Sequence, residues 1–563
     1  MTEIPARSGA STADAPDNHD GVRSDSGVQS DSGVRSYDVV IVGAGLTGMY
    51  QLKLVRELGL SVRVIEAGSG VGGTWYWNRY PGARLDSESY SYQYSWDEEL
   101  LEEWRWNEMF AGQPELEAYY NRVADKHDLR KDIDLDTRVE GMVFDEETDT
   151  WTLHSTEGRL YRTRVVIMAS GILSDPNFPK IPGLERFKGE WYHTSLWPKD
   201  DVDFTGKRIA VIGTGATGVQ VIPEVAKTAG HLTVFQRTAN WAVPLRNRPL
   251  SEEDMRKIRD GYPEMFDFLR HSFSGFLHSW DATKSTEVSA EVRDARYEEA
   301  FASPGFAKWI GLYNDLAYDA AANQIYCDFL ASKVRERVND PETAEKLIPN
   351  DHYFGTKRVP CETNYYETYN RDNVDLRLIK DDPIREFTEK GIRTEQGELD
   401  VDMIILATGF DAFTGALMKI DIRGVGGQTL RDKWKDGPLT YLGMQVAGFP
   451  NMFIVGGPHG KGGHGNGPRC AEPVVEWVAK VTEDIFTHPW RRVEADPESE
   501  KEWTTSVVQK AAGTLQASAK SIFFGDNIEG KPRVYVAYLG ALPEFIDGLY
   551  AAREAGYRGF ILS

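Results

Sequence analysis

Two short stretches, GAGLTG at 43–48 and GTGATG at 213–218, set three glycines at the same spacing in two places along one chain. Each follows an apolar run, YDVVIV before the first and KRIAVI before the second, and each opens a helical pattern. Glycines so placed let the backbone turn tightly and approach a pyrophosphate, which the next helix faces with free N–H groups and its positive dipole end. Gly43, Gly45 and Gly48 therefore read as one dinucleotide site. Gly213, Gly215 and Gly218, with Thr214, Ala216 and Thr217 between them, read as a second.

The end of the following strand tells the two apart. After the first loop it carries Glu66, roughly 20 residues on, where a carboxylate accepts from both ribose hydroxyls of FAD or NAD. After the second loop the same place reads Gln236, Arg237, Thr238. Without a carboxylate a 2′-phosphate is not repelled, and Arg237 can pair with it through two donors, so this loop reads as an NADPH site. FAD with NADPH is the equipment of a flavoprotein reductase or monooxygenase. A disulfide reductase would also need a close cysteine pair, whereas Cys327, Cys361 and Cys470 are far apart.

GGTWYWNRYPGARLD (72–86) and FKGEWYHTSLWP (187–198) resemble the two signature motifs of the type I Baeyer–Villiger monooxygenases. The second holds Phe187, Gly189, His193, Trp197 and Pro198 at the family's spacing. YFGTKR (353–358) and ATGFD (407–411) extend the resemblance, which runs from about Tyr37 to the C-terminus. It implies an activity: NADPH reduces FAD, O2 is activated at the flavin, and one oxygen enters beside a ketone carbonyl to give an ester or lactone. It also implies roles. Arg358 matches the active-site arginine, a permanent cation beside the oxygen adduct and then beside the oxyanion of the attacked ketone. Asp86 would sit near Arg358 and tune it, although the sequence alone also allows a helix cap before SESY. Lys357 would join Arg237 on the 2′-phosphate, with Thr238 adjacent. Trp75 and Tyr92 match flavin-contacting aromatics, Gly73 and Thr74 lie at the pyrophosphate, and Val139 lies near the adenine. His193 reads as a linker residue, not a catalytic one.

Other readings use the same cofactors: a nitrogen or sulfur monooxygenase, or an NADPH oxidase. A non-catalytic FAD-binding interaction protein is opposed by the intact second loop. Two stretches depart from the family. Ile522, before GKPR, stands where a tryptophan commonly reaches NADP. PHGKGGHGNGPRC (458–470) reads as a mobile glycine loop whose Lys461 and Arg469 either meet an anionic group of the substrate or stand as solvated charges on a flexible surface. The resemblance runs closest to enzymes for bulky cyclic ketones, such as steroid or terpenoid ketones, and the low-complexity tail with the basic loop suggests a sesquiterpenoid keto acid of pentalenolactone-type antibiotic pathways. His459, His464 and Cys470 do not read as a metal site, because glycines cannot preorganise such a ligand set.

The elements that must position these residues are those of an α/β protein with two Rossmann-like dinucleotide-binding domains and a helical insertion. The expected order is a disordered tail at 1–36, carrying a repeated GVRSDS-type hexad, then the first part of the FAD domain at 37–174. The NADP domain follows at 175–245, a charged and aromatic helical insertion at 246–352, the rest of the NADP domain at 353–394, and the rest of the FAD domain at 395–563. Strands are expected at Tyr37–Val42 and within SVRVIEAG, HLTVFQ, DMIILATGF, NMFIVGG and PRVYVAYLG, and a helix from Leu46 to near Gly59. A chain of 563 residues exceeds one core. No apolar run approaches the roughly 18 residues of a membrane span. With 64 basic against 87 acidic residues, the net charge of −23 repels nucleic acid and anionic lipid. Three scattered cysteines and no apolar leader predict a reducing, cytoplasmic setting; oligomeric state is left open.

Overall fold

The computed structural model describes residues 28–29 and 33–563. Most of the expected 1–36 tail lies outside the described residues. Its end is structured. The first long strand is Val34–Val42, because Val34 is buried and the strand already pairs in parallel with Leu160 there. Val28–Gln29 pairs antiparallel with Arg35 and Ser36.

Around Val34–Val42 grows a nine-stranded sheet. Val62–Ile65 and Leu160–Met168 flank it in parallel, and the apolar stretch Val165–Met168, fully buried, follows from burial on both faces. Val139–Asp145 and Thr150–Ser155 fold back antiparallel beside Leu160–Met168. The helix Leu46–Glu57 packs against Gly467–Thr487, so this domain is built from both ends of the chain.

The second sheet is all parallel, in the order Val374–Leu378, His231–Gln236, Arg208–Ile212, Met403–Leu406, Glu190–His193. Met403–Leu406 therefore belongs with the second glycine loop and not with the 395–563 segment of the first domain. The reason is in the strand: Met403, Ile404, Ile405 and Leu406 are fully buried, and they fill an interior place in the second sheet between Arg208–Ile212 and Glu190–His193. Chain crosses between the domains twice, and the crossings bond to each other. Asn177 N donates to Gly409 O and Asp411 N to Asp175 O, both at 2.9 Å.

The insertion is helical, with Glu252–Asp260, Tyr262–His271, Ala290–Ala302, Ala320–Arg337 and Pro341–Leu347. Four of the five start on a capping side chain, Ser251 (with Asp254 in a capping box), Ser289, Asp319 and Asp340, while Tyr262–His271 follows Gly261 with none. Tyr297, Phe306, Tyr326 and Phe354 form its own core. PRVYVAYLG is not a strand. Its Tyr535–Tyr538 are buried, but the backbone is pinned by single bonds, Val536 N to Phe523 O and His459 N to Val536 O, with no neighbouring ladder to join. Among the described residues no helix is long and apolar enough to cross a membrane.

Candidate active site

The two glycine loops repeat the same steric logic. Gly43 has φ +106° and a side chain there would lie 2.5 Å from Ala169 O; Gly213 has φ +114° and would meet Ala407 O at 2.3 Å. A Cβ on Gly48 would fall 1.8 Å from Gly43 O, and one on Gly218 would fall 2.2 Å from Gly213 O. The middle glycines differ. Gly45 would meet Gly73 Cα at 3.3 Å, with Gly73 itself at φ +55°, whereas Gly215 faces open space. Helices start directly afterwards, Leu46–Glu57 and Ala216–Ala226, and neither N-cap glycine offers a side-chain acceptor, so their first N–H groups stay available.

Glu66 is buried and accepts from Ala44 N and Gly68 N at 2.7 Å each. Burial raises its pKa, and the two amides oppose that. Trp77 also bonds the carboxylate, and the remaining acceptor capacity is left for a ribose hydroxyl. Thr137 N donates to Glu66 O, which brings the start of the strand at Val139 beside it. On the second loop, Thr214 Oγ1 donates to Thr238 O at 3.2 Å and ties the loop to the exposed Arg237–Thr238 pair. Lys357 lies 3.4 Å from Asp351. Its pKa is lowered, chiefly by burial, with nearby Arg237 adding to the effect, so the structure does gather these two cations.

Between the domains, Trp75 and Tyr92 meet edge to face at 6.0 Å, with exposed Thr74 at the start of the Thr74–Trp77 turn. Arg358 Nη2 donates to Asp86 Oδ2 at 3.0 Å. Asp86 caps no helix. Burial raises its pKa to about 6, and Arg358 pulls the other way. Phe306 and Trp309 lie against the Arg358 guanidinium at 4.8 and 5.8 Å, and Asn240 Nδ2 holds the Arg358 carbonyl at 3.0 Å. Sequence reading did not single out these three; GFAKWI offered only aromatics in a charged helical stretch. Trp75 Nε1 and Asp86 Oδ1 are buried with no partner among the described residues. Trp75 follows directly on the Gly73 turn that faces Gly45, and with Tyr92 beside its ring this lining fits a flavin held between Gly45, Gly73 and Trp75.

His193 ends its strand at the double crossing. Its Nδ1 meets Ser195 Oγ at 2.8 Å and its Nε2 meets Thr408 Oγ1 at 3.3 Å, while Thr408 also donates to Asn177 O. Burial lowers its pKa to about 4, so it is neutral at working pH.

A family model described as pyridine nucleotide-disulphide oxidoreductase matches residues 40–261. The chain is 46% identical over 490 residues (86% of this chain, 90% of the relative) to 2-oxo-Δ3-4,5,5-trimethylcyclopentenylacetyl-CoA monooxygenase of Pseudomonas putida. It is 42% identical over 93% of its length, and 97% of the relative's, to phenazine N-monooxygenase PhzNO1 of Lysobacter antibioticus. The solved structure of OTEMO in complex with FAD and NADP superposes with a TM-score of 0.90 at 44% identity, covering 94% of this chain and 99% of that one. Relatives of similar identity are named cyclohexanone 1,2-monooxygenase and Baeyer–Villiger monooxygenase. The chain belongs to the flavin-dependent Baeyer–Villiger monooxygenases. It is an NADPH-dependent flavin monooxygenase whose cofactors are FAD and NADP.

In this Baeyer–Villiger monooxygenase the 458–470 stretch is not a free basic loop. Lys461 is buried over the Phe273 ring, donating to Gly540 O at 2.6 Å. Arg469 is buried, paired with Glu472 at 2.8 Å and bonded to Gln93 O. Both cations are engaged inside the protein, because a glycine-rich stretch packs closely enough to bury them. His459 bonds Thr440 and His464 bonds Tyr535, and burial lowers the pKa of both well below neutrality. Ile522 begins the short turn Ile522–Phe524 and packs on the first domain's core.

Proposed function

We propose that Arg358, aligned by Asp86, promotes oxygen insertion beside the carbonyl of a bulky cyclic ketone, and that Arg237 and Lys357 select NADPH. The observation that carries this is the Asp86–Arg358 ion pair, one carboxylate oxygen orphaned, close enough to Tyr92 for the guanidinium to act on its phenol. The chemistry supplied by FAD when bound is hydride acceptance from NADPH and activation of O2. The chain's own residues do the rest. Gly43–Gly48, with Gly73 and Thr74, hold the pyrophosphate; Glu66 takes the ribose, Val139 lines the adenine side, and Trp75 and Tyr92 flank the ring. Gly213–Gly218 and Thr238 hold the second dinucleotide.

Arg358 aims the donors that Asp86 leaves free at the carbonyl oxygen, where negative charge develops when the ketone is attacked. An arginine suits this because it stays charged where a buried lysine can lose its proton. Phe306 and Trp309 shield one side of the guanidinium from water, which strengthens its field. The ring ketone in the Pseudomonas putida relative's name supports a bulky cyclic substrate. An acid-bearing ketone has no support from Lys461 or Arg469, both occupied. The three thiols, all free and buried, support a reducing, cytoplasmic setting, and the charge of −23 supports an absence of nucleic-acid partners.

The test is incubation with NADPH, O2 and a panel of cyclic ketones of increasing bulk. A product heavier by one oxygen, with a lactone signature, is the expected result; NADPH consumption yielding only hydrogen peroxide would overturn it. Similarity to a phenazine N-monooxygenase favours a second reading, oxygenation of an aromatic ring nitrogen. Including an N-heteroaromatic in the panel decides between them.

A further inference from the structure

We infer that a path of tyrosine and tryptophan rings carries single electrons between the flavin pocket and a solvent-facing cavity beside Glu476, an activity separate from oxygen insertion. The path rests on the reading above that Trp75 and Tyr92 flank the flavin. Trp75 meets Tyr92 at 6.0 Å. The phenols of Tyr92, Tyr94 and Tyr120 are near enough to feel one another's charge. Tyr94 then contacts Tyr120 at 5.9 Å, Trp96 at 5.0 Å and Tyr50 at 5.8 Å. Tyr50 and Trp96 stack at 4.9 Å with their planes 9° apart. Trp96 is half-buried, with the Lys53 ammonium 4.7 Å from its ring.

Packing alone does not account for this composition. His127 also packs on Trp96, at 5.1 Å, but the contacts from Trp75 to Tyr50 run through tyrosine and tryptophan rings, although phenylalanine would fill the same volume. Tyr120 Oη and Trp96 Nε1 are buried without partners, a cost that phenylalanine avoids. Tyr94 Oη donates to Leu46 O and Tyr50 Oη to Glu476, so those two phenols also serve as hydrogen-bond donors; at Tyr120 and Trp96, whose polar tips bond nothing among the described residues, what the ring adds is oxidisability.

The outer end is built to release a proton. Tyr50 Oη donates to Glu476 Oε1 at 3.1 Å. Burial and neighbouring Glu472 raise the Glu476 pKa, making it the stronger base. Glu476 lines a cavity of about 320 Å³ together with Ser95, Arg270 and Glu472. With FAD bound and excited by blue light, the adjoining Trp75 or Tyr92 ring would give up one electron to it. The vacancy moves outward ring by ring to Tyr50, whose phenol proton passes to Glu476, leaving a neutral tyrosyl radical. A small thiol in solvent returns the electron, Glu476 returns the proton, and the thiol's own proton goes to water. Two rounds, with two protons from solvent, reduce the flavin by two electrons and join two thiols as a disulfide.

The test uses the FAD-loaded protein, without oxygen, under steady blue light, with dithiothreitol as the thiol. Flavin bleaching is followed against time, and picosecond quenching of flavin fluorescence is measured on the same samples. We expect Tyr50→Phe with Trp96→Phe to slow bleaching several-fold while quenching and dark ketone oxygenation stay at the parent level. Glu476→Gln, which leaves every ring in place, should slow bleaching on its own, so the result does not hang on one variant folding. Parent-rate bleaching in both variants, with quenching intact, would overturn the path and leave the site reading standing. Slow quenching in the parent that Tyr92→Phe does not change would place the flavin elsewhere and overturn both.

Discussion

Asp86 and Arg358 stand 272 positions apart in the chain and meet at 3.0 Å. Asp86 is buried and its pKa is raised to about 6, so its charge is present above that pH and lost below it. Product formation should therefore fall as pH drops through about 6, because a neutral Asp86 no longer anchors the guanidinium. Asp86→Asn should lower the plateau and remove this acid limb. A pH profile of lactone formation checks both, and an unchanged limb in Asp86→Asn would assign the ionisation to another group.

Arg358→Ala separates reduction from oxygenation. NADPH should still bleach the flavin, since Arg237, Lys357 and the Gly213 loop hold the nucleotide. Lactone yield should drop roughly 100-fold, the loss of about 3 kcal/mol typical of one oxyanion donor, with hydrogen peroxide taking its place. Stopped-flow absorbance paired with product and peroxide assays reads the two steps. Arg358→Lys should not rescue, because a lysine presents a different donor geometry and can lose its charge when buried.

Arg237→Ala should raise KM for NADPH and spare NADH. Loss of a charge-assisted contact of about 2 kcal/mol corresponds to roughly 30-fold. Equal effects on both nucleotides would remove Arg237 from the 2′-phosphate. Lys357→Ala should show the same preference.

Gly73→Ala sets a Cβ 2.7 Å from Gly45 Cα in a backbone region that disfavours side chains. The purified protein should hold less FAD per chain, measured by flavin absorbance. Gly215→Ala meets nothing within 4 Å. It should keep full FAD and weaken only NADPH.

Lys461 tests the correction made to the 458–470 stretch. Burial lowers its pKa to about 8 from 10.5, so the folded state disfavours its charge. Stability should rise as pH increases from about 8 towards 10.5, by about 3 kcal/mol, and be missing below that window. Lys461→Met should flatten this rise in denaturation curves and leave the preference between acidic and neutral ketones unchanged. A selective loss on acidic ketones would restore the substrate-binding reading.

Much of this was legible because it is local. A strand, a glycine turn and a helix within one βαβ unit leave their mark in consecutive residues, as Gly43 to Glu66 and Gly213 to Arg237 do. Asp86 and Arg358 were legible only through the family resemblance, since nothing in either segment names the other. Phe306, Trp309 and Asn240 were not legible, because an aromatic beside a cation depends on how the insertion docks. Lys461 misled for the opposite reason: glycines that suggest mobility in sequence also permit the close packing that buries a lysine. Met403–Leu406 was assigned to the wrong sheet because an apolar strand carries no label for its partners.

The unequal surroundings of Gly45 and Gly215 bear on how long each cofactor stays. On the first loop the Gly73 turn packs against Gly45, whereas Gly215 on the second loop faces open space. Two loops alike in sequence should therefore release their cofactors unequally: FAD should survive gel filtration and repeated dilution that strip NADP from the same sample.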